Sequence, residues 1–397
     1  MASSDKRDLD LVLFGATGFT GRLTALYLAE HAPAGLRWAL AGRNPAKLEA
    51  VRREVAAVDP RHADLELLHA DSTDPASLAA VAERTKVVAT TVGPYQQVGY
   101  PLVGACADAG TDYVDITGEP EFVDRTWLEH HTTAERTGAR LVHACGFDSV
   151  PHDLGVLHAV RALEAQAPID QRLTVRGVVR GGGVFSGGTF HSAMGAFSRG
   201  RQMRDVMVER RRREPRPEGR SSRAVAGKPG RDGLLGYWLL PLPTLDPAVV
   251  ARSGAAIPAY GPEFRYSHFA GTKTLRYAAG GAVGVTALGL AAQVPPVRNA
   301  LLKKVPQGEG PDDARRARSW FTVDVVAETA GRRQHTRVSG GDPGYTETAK
   351  MLAESAMCLA LDDLPATAGQ VTTAQAMGDA LLGRLQAAGM RFETVEH

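Results

Sequence analysis

What most constrains this chain is a rhythm in its first 150 residues, where apolar runs of strand length alternate with longer stretches of helical periodicity. Leu9–Phe14 reads as a strand, and Phe19–Glu30 as a helix with Leu23, Leu26 and Tyr27 on one face. A strand at Leu36–Ala41, a helix at Pro45–Val58, a short strand at Leu65–Leu68 and a helix from Pro75, capped by Asp74, follow. Lys86–Val92, Pro101–Ala109, Asp112–Ile116, Glu121–Thr137 and Arg140–Ala144 continue the alternation as strand, helix, strand, helix and strand. Parallel neighbours need crossover connections that pack on the sheet, so the pattern predicts a doubly wound parallel sheet with helices on both faces.

The first strand runs directly into Gly15-Ala16-Thr17-Gly18-Phe19-Thr20-Gly21, where a helix opens. Glycine spacing alone is a weak signal, because any surface turn can carry it. At the first strand-to-helix turn of such a domain it has a mechanism: bare backbone approaches a pyrophosphate, and the free N–H groups of the helix start bind its charge. Gly15, Gly18 and Gly21, with Phe19 and the hydroxyls of Thr17 and Thr20, are therefore the expected cofactor-binding set. The end of the second strand chooses the dinucleotide. An acidic residue there would accept ribose hydroxyls, but the chain has Ala41-Gly42-Arg43-Asn44, and Arg43 can pair with a 2′-phosphate. NADP(H) is the expected cofactor; Arg43 as a merely solvated residue before Pro45 is the plainer alternative. Three further strand ends point into the same crevice: Thr90 to Tyr95, whose small residues (Gly93, Pro94) leave room for a dinucleotide with Tyr95 near the nicotinamide, Asp115 to Glu119, and Cys145 to Pro151.

With 397 residues the chain exceeds one ordinary core, so two domains are expected. After Pro151 the rhythm changes. A helix at Asp153–Ala165 and a strand at Arg172–Arg180 lead to the glycines 181–183 and to Ser186-Gly187-Gly188-Thr189. Residues 199–231 hold 12 Arg/Lys against four Asp/Glu with little apolar content, which predicts a solvated helix end and then a mobile loop. Trp320–Thr329 alternates, and Gly331 can turn it into an antiparallel partner at Gln334–Val338, a pair that could also meet its copy across a homodimer. Tyr345–Leu361 and Thr373–Ala388 read as long helices. The expected division is 1–150, a Rossmann-type dinucleotide domain; 151–343, a second α/β domain with a mixed or antiparallel sheet for substrate or dimerisation; and 344–397, helices that return to the first.

Hydrophobic residues at 44% and charged residues at 23% describe an ordinary globular protein, and a net charge of +2 gives no reason to expect a nucleic-acid partner. Three scattered cysteines, with no CxxC and no His cluster at ligand spacing, predict neither disulfides nor a metal site. The polar N-terminus leaves no room for a secretory signal, so a cytoplasmic location is expected. Ala278–Val297 carries no charge, but four glycines and Pro295-Pro296 make it a poor membrane span. A buried helix is the plainer reading, and a surface touching lipid or an acyl chain the other.

The segments GATGFTG, AGR, TTVGPY, GTDYVDITGE and HACGFDSVPHD together resemble the saccharopine dehydrogenase-like family and, within it, the trans-acting enoyl reductases of actinobacterial polyketide lipid synthesis. SGGT at Ser186–Thr189, FRYS at Phe264–Ser267, GDPGY at Gly341–Tyr345 and AMGDALL at Ala376–Leu382 extend the likeness over nearly the whole chain. The resemblance implies that Gly15, Gly18, Gly21 and Arg43 carry the cofactor and that Gly93 and Pro94 line it. It also implies hydride transfer to an α,β-unsaturated acyl thioester, which needs donors for the thioester oxygen and a proton source for the α-carbon. Asp148, Ser149, Tyr95 and His191 are the candidates, in that order. Asp148 could instead cap the helix after Pro151, and His191 could simply sit on a helix. The Arg210–Arg213 run could steer an acidic acyl carrier protein toward the site, or be a solvated face with no partner. Imine chemistry at an amino acid, and a noncatalytic nucleotide-binding protein associated with lipid, are the competing functional classes.

Overall fold

The computed structural model describes residues 7–182, 187–305 and 310–396, apart from the side chain of Thr189; Gly183 and Ser186 lie outside the described residues. Seven parallel strands form the first sheet: β1 (Leu9–Phe14), β2 (Trp38–Gly42), β3 (Glu66–His69), β4 (Thr85–Thr90), β5 (Asp112–Asp115), β6 (Arg140–Val142) and, from the far end of the chain, β14 (Gly369–Val371). Their order is β14-β6-β5-β4-β1-β2-β3, so the chain leaves β1 in one direction and crosses back to β4 on its other side. β1 shows why the sheet is stable. All six of its residues are buried, Leu11 and Leu13 facing one apolar layer and Val12 and Phe14 the other. A fully buried aliphatic side chain contributes roughly 1.5–3 kcal/mol, which selects this two-faced burial over an amphipathic sheet.

The helix Val150–Glu164 leads to a second, mixed sheet of eight strands. These are β7 (Arg172–Gly181), β8 (Ser221–Ala224), β9 (Gly230–Arg231), β10 (Trp238–Pro241), β11 (Glu263–Thr272), β12 (Phe321–Thr329), β13 (Arg332–Gly340) and β15 (Arg391–Thr394). The main path is β15-β13-β12-β7-β11-β10-β9, with β8 paired to β11. β7 and β11 run parallel over eight residue pairs, while β12 and β13 form an antiparallel hairpin that turns at Ala330-Gly331. The C-terminal segment serves both sheets. Its helix Thr346–Leu361 packs on the first helix (Phe19–His31) and on β4, β14 extends the first sheet, and β15 extends the second.

Four expectations are corrected here. The basic segment is ordered: a helix at Gly200–Arg213 is followed by β8 and β9. Arg210 is buried, 2% exposed, paired with Asp124 and Glu214 and lying over the Trp127 ring, because an intervening acidic face on helix Pro120–Thr137 receives it. Residues 278–297 are not a buried helix: Leu275–Gln293 lies on the outside, with only Ala278 and Ala292 buried. β12 is flanked by β7 and β13 and has no free edge, so the hairpin cannot pair with a copy through it. The expected single helix from Thr373 breaks at Met377-Gly378 into Thr373–Ala376 and Gly378–Ala387.

Candidate active site

The crevice opens where the chain reverses direction across the sheet, between the carboxyl ends of β1 and β4, which is where open α/β sheets bind ligands. Gly15 has φ of 94°, and a Cβ on it would lie 2.7 Å from Val92 Cγ2 and 2.8 Å from Thr91 Oγ1. A Cβ on Gly21 would stand 2.1 Å from the Gly15 carbonyl oxygen. Any side chain at either place would push the first helix off β4. The two strand ends are joined directly, Thr91 Oγ1 donating to the Gly15 carbonyl at 3.1 Å. Gly18 begins the helix Phe19–His31 with no side-chain cap, so the first-turn N–H groups remain for an anion.

Thr17 is exposed at the rim, and Thr20 lies one turn into the helix, its carbonyl accepting from Thr24. The Phe19 ring packs edge-on against Tyr345 at 4.9 Å, under the Arg316 guanidinium. Arg43 is exposed at the end of β2 and makes no ion pair or side-chain hydrogen bond among the described residues, while Asn44 beside it caps the next helix through Lys47 N–H. An uncapped helix start, glycines that admit backbone to backbone contact, and a free guanidinium at the adjacent strand end fit a dinucleotide with a 2′-phosphate.

Gly93 and Pro94 follow β4, joined by a cis peptide. A carboxylate not singled out from the sequence holds this loop in place: Glu119 accepts from Tyr95 N–H at 3.1 Å, Gln96 N–H at 2.9 Å and Ser192 Oγ–H at 3.0 Å. Burial pushes its carboxyl above the ordinary range. Tyr95 itself is corrected. Its hydroxyl is turned into the sheet, donating to the Thr90 carbonyl at 3.1 Å and accepting from Ile116 N–H at 3.3 Å, and burial raises it well above the ordinary phenol value. It supports the loop and has no free proton to offer.

Asp148 and Ser149 sit together in the loop between β6 and the helix Val150–Glu164. Gly118, beyond β5, makes room for the carboxylate, since a Cβ there would fall 2.8 Å from Asp148 Oδ2. Asp148 is not the helix cap; Ser149 occupies that position, without a side-chain cap bond, and its fully buried hydroxyl has no hydrogen-bond partner among the described residues. Burial, and secondarily the charge of Asp246, push the Asp148 carboxyl up to about 7. Behind it lies a cluster that linear spacing could not reveal: His152, Asp246 at the start of helix Asp246–Ala256, and His268 on β11. His152 Nδ1 is 3.0 Å from Asp246 Oδ1, close but off the hydrogen-bond direction, and His268 Nδ1 meets the Tyr266 hydroxyl at 3.1 Å. Burial holds His152 down to about 3 and His268 to about 4, so both imidazoles are neutral and leave the two carboxyls uncompensated. Their ligand atoms all lie within 4.8 Å of one another, a spacing one divalent cation could bridge, where the sequence had predicted no metal site.

His191 is on the helix Gly187–Ser198, its Nε2 engaged by the Val305 carbonyl at 2.7 Å. It ties that helix to Val305, and the structure does not bring it to Asp148.

A doubly wound sheet with an uncapped glycine loop at its reversal point defines a Rossmann-type dinucleotide-dependent oxidoreductase, and residues 11–142 match the saccharopine dehydrogenase NADP-binding domain. The chain belongs to the saccharopine dehydrogenase-like family and is an NADP-dependent oxidoreductase. It is 37% identical over 424 residues, covering 99% of each chain, to the trans-acting enoyl reductase of Mycobacterium bovis. A Mycobacterium tuberculosis protein provisionally named a trans-acting enoyl reductase is 41% identical over 417 residues, covering 98% of each. Among solved structures, the apo saccharopine dehydrogenase (L-Glu forming) of Saccharomyces cerevisiae superposes with a TM-score of 0.57 at 12% identity, covering 98% of this chain and all of that one, and so shares the fold.

Proposed function

We propose that this protein reduces the carbon–carbon double bond of an α,β-unsaturated acyl thioester, the activity named for its mycobacterial relatives. The observation that carries the reading is Asp148, a carboxyl that keeps its proton near neutral pH at the edge of the dinucleotide crevice. When bound, NADPH supplies the hydride for the β-carbon. Asp148 gives its proton to the α-carbon and is reprotonated from solvent, which completes the saturated product. The unpartnered Ser149 hydroxyl is the donor for the thioester oxygen as negative charge gathers there. Gly15, Thr17, Gly18, Phe19, Thr20, Gly21, Arg43, Gly93 and Pro94 hold the dinucleotide, and Glu119 holds the Gly93–Gln96 loop.

The charge acting on Asp148 also favours a thioester over imine chemistry at an amino acid. Among the described residues it is that of Asp246, a carboxylate, and not an arginine or lysine that would receive substrate carboxylates. A carrier-bound thioester needs none. With Arg210 committed to the interior, the exposed Arg211 and Arg212 remain to steer an acidic carrier domain. Three buried, unpaired cysteines suit a cytoplasmic location.

The test is NADPH oxidation with a crotonyl thioester, compared with an α-keto acid plus an amine. Turnover with the thioester alone is expected. Turnover with the keto acid and amine alone moves the chain to imine chemistry, and tight NADPH binding with neither reaction makes it a noncatalytic nucleotide-binding protein.

A further inference from the structure

The helix Leu275–Gln293 is apolar, long and uncovered: its mean hydropathy reaches 1.2 over 18 residues while 11% of that window is buried. Of the eleven large hydrophobic side chains exposed among the described residues, eight fall between Leu275 and Val297, including Tyr277 at 61%, Val283 at 70% and Leu290 at 67%. Monomeric surfaces rarely gather apolar groups in this way without a partner.

The charges around it name that partner. Residues 273–304 contain Lys273, Arg276, Arg298, Lys303 and Lys304 and no Asp or Glu. None of the five makes an ion pair among the described residues, whereas arginines elsewhere, such as Arg84, Arg140 and Arg384, are engaged by carboxylates. A second helix, Pro295–Lys304, follows directly after Val294 and carries three of these cations. An apolar rod bracketed by unpaired cations fits the plane of an anionic bilayer, with the side chains reaching the acyl boundary and the cations the headgroups.

We propose that the helix pair Leu275–Gln293 and Pro295–Lys304 docks this protein onto an anionic lipid surface. The helix lies in the interface and does not cross it. It packs along the helix Gly187–Ser198, where Gly289 faces Phe197 and Gln293 Nε2 donates to the Phe197 carbonyl, and spanning would strip away those contacts. A second copy is the poorer occupant, because a two-fold face would set these cations against their own images with no acidic residue in the segment to answer them. Docking also orients the molecule. The helix beneath carries Ser192, which donates to Glu119, so the membrane would lie one helix layer from the loop lining the dinucleotide crevice. The docking itself stands whichever substrate is reduced.

Co-sedimentation of the full chain with phosphatidylglycerol–phosphatidylcholine vesicles tests it, beside vesicles of phosphatidylcholine alone. Binding to the anionic vesicles should be at least about 10-fold tighter and weaken with salt. Val283→Glu/Leu290→Glu and, separately, Lys303→Glu/Lys304→Glu should each lower it at least about 10-fold while NADPH affinity stays unchanged. Absence of vesicle binding, equal affinity for both lipids, or binding indifferent to either pair of substitutions overturns the proposal. A dimer in sedimentation velocity that Val283→Glu/Leu290→Glu dissolves, without vesicle binding, assigns the face to self-association instead.

Discussion

Replacing Asp148 with asparagine keeps the side chain's shape and removes its ionisation, so it separates the proposed acid from mere packing. Folding raises this carboxyl to about 7, and against an ordinary carboxyl near 4 that is worth about 4 kcal/mol as an upper bound. The sign follows from linkage. A folded-state value above the unfolded one means that the contribution is fully present at acid pH, declines as pH rises from about 4, and is gone above about 7. At pH 8 the wild type therefore folds with a partly buried carboxylate set against that of Asp246, a charge that the asparagine variant lacks. Urea unfolding should find Asp148→Asn more stable than wild type at pH 8, by up to about 4 kcal/mol, with the advantage shrinking toward pH 4. Thioester-dependent NADPH oxidation should fall at least about 100-fold, and the decline of wild-type kcat above pH 7 should vanish from what remains. A variant whose stability tracks wild type across this range, or that turns over normally, refutes the reasoning.

Arg43→Ala should weaken NADPH binding about 10- to 100-fold in a fluorescence titration while leaving NADH nearly unchanged; equal losses for both would show that Arg43 does not read the 2′-phosphate. Arg210→Met should lower unfolding free energy by about 1–3 kcal/mol, since it removes the buried pairing with Asp124 and Glu214 while Arg252 still holds Asp124, whereas Arg212→Met on the exposed face should change it by less than about 0.5 kcal/mol. Similar effects of the two substitutions would contradict the burial of Arg210.

The nucleotide half was legible because its instructions are local. The helix cap at Asp74, the apolar strands and the glycine turn each act within a few residues, and the six strands from Leu9 to Val142 lie within about two residues of the expected ranges. What escaped depends on distant partners. Arg210 reads as one of four consecutive arginines, and only the fold shows that Asp124, 86 residues earlier, receives it. His152, Asp246 and His268 come from three elements with no spacing in common. β14 has three residues and β15 four, too few for a periodic signal, and each gains strand geometry only from the neighbour it meets. The helix Leu275–Gln293 misled for a different reason: its composition satisfies a core and a lipid interface equally, and only its place in the fold distinguishes them.

The closing stretch of chain has a consequence for how the molecule is born. β6, synthesised early, waits for β14 to cover its edge, and β13 waits for β15, so neither sheet has that edge strand until residues 369–394 have left the ribosome. Such long-range pairing is slow to find and exposes sticky edges meanwhile. The nascent protein is therefore expected to depend on chaperones until those strands emerge, and a premature stop after Leu361 should leave a product open along one margin of each sheet.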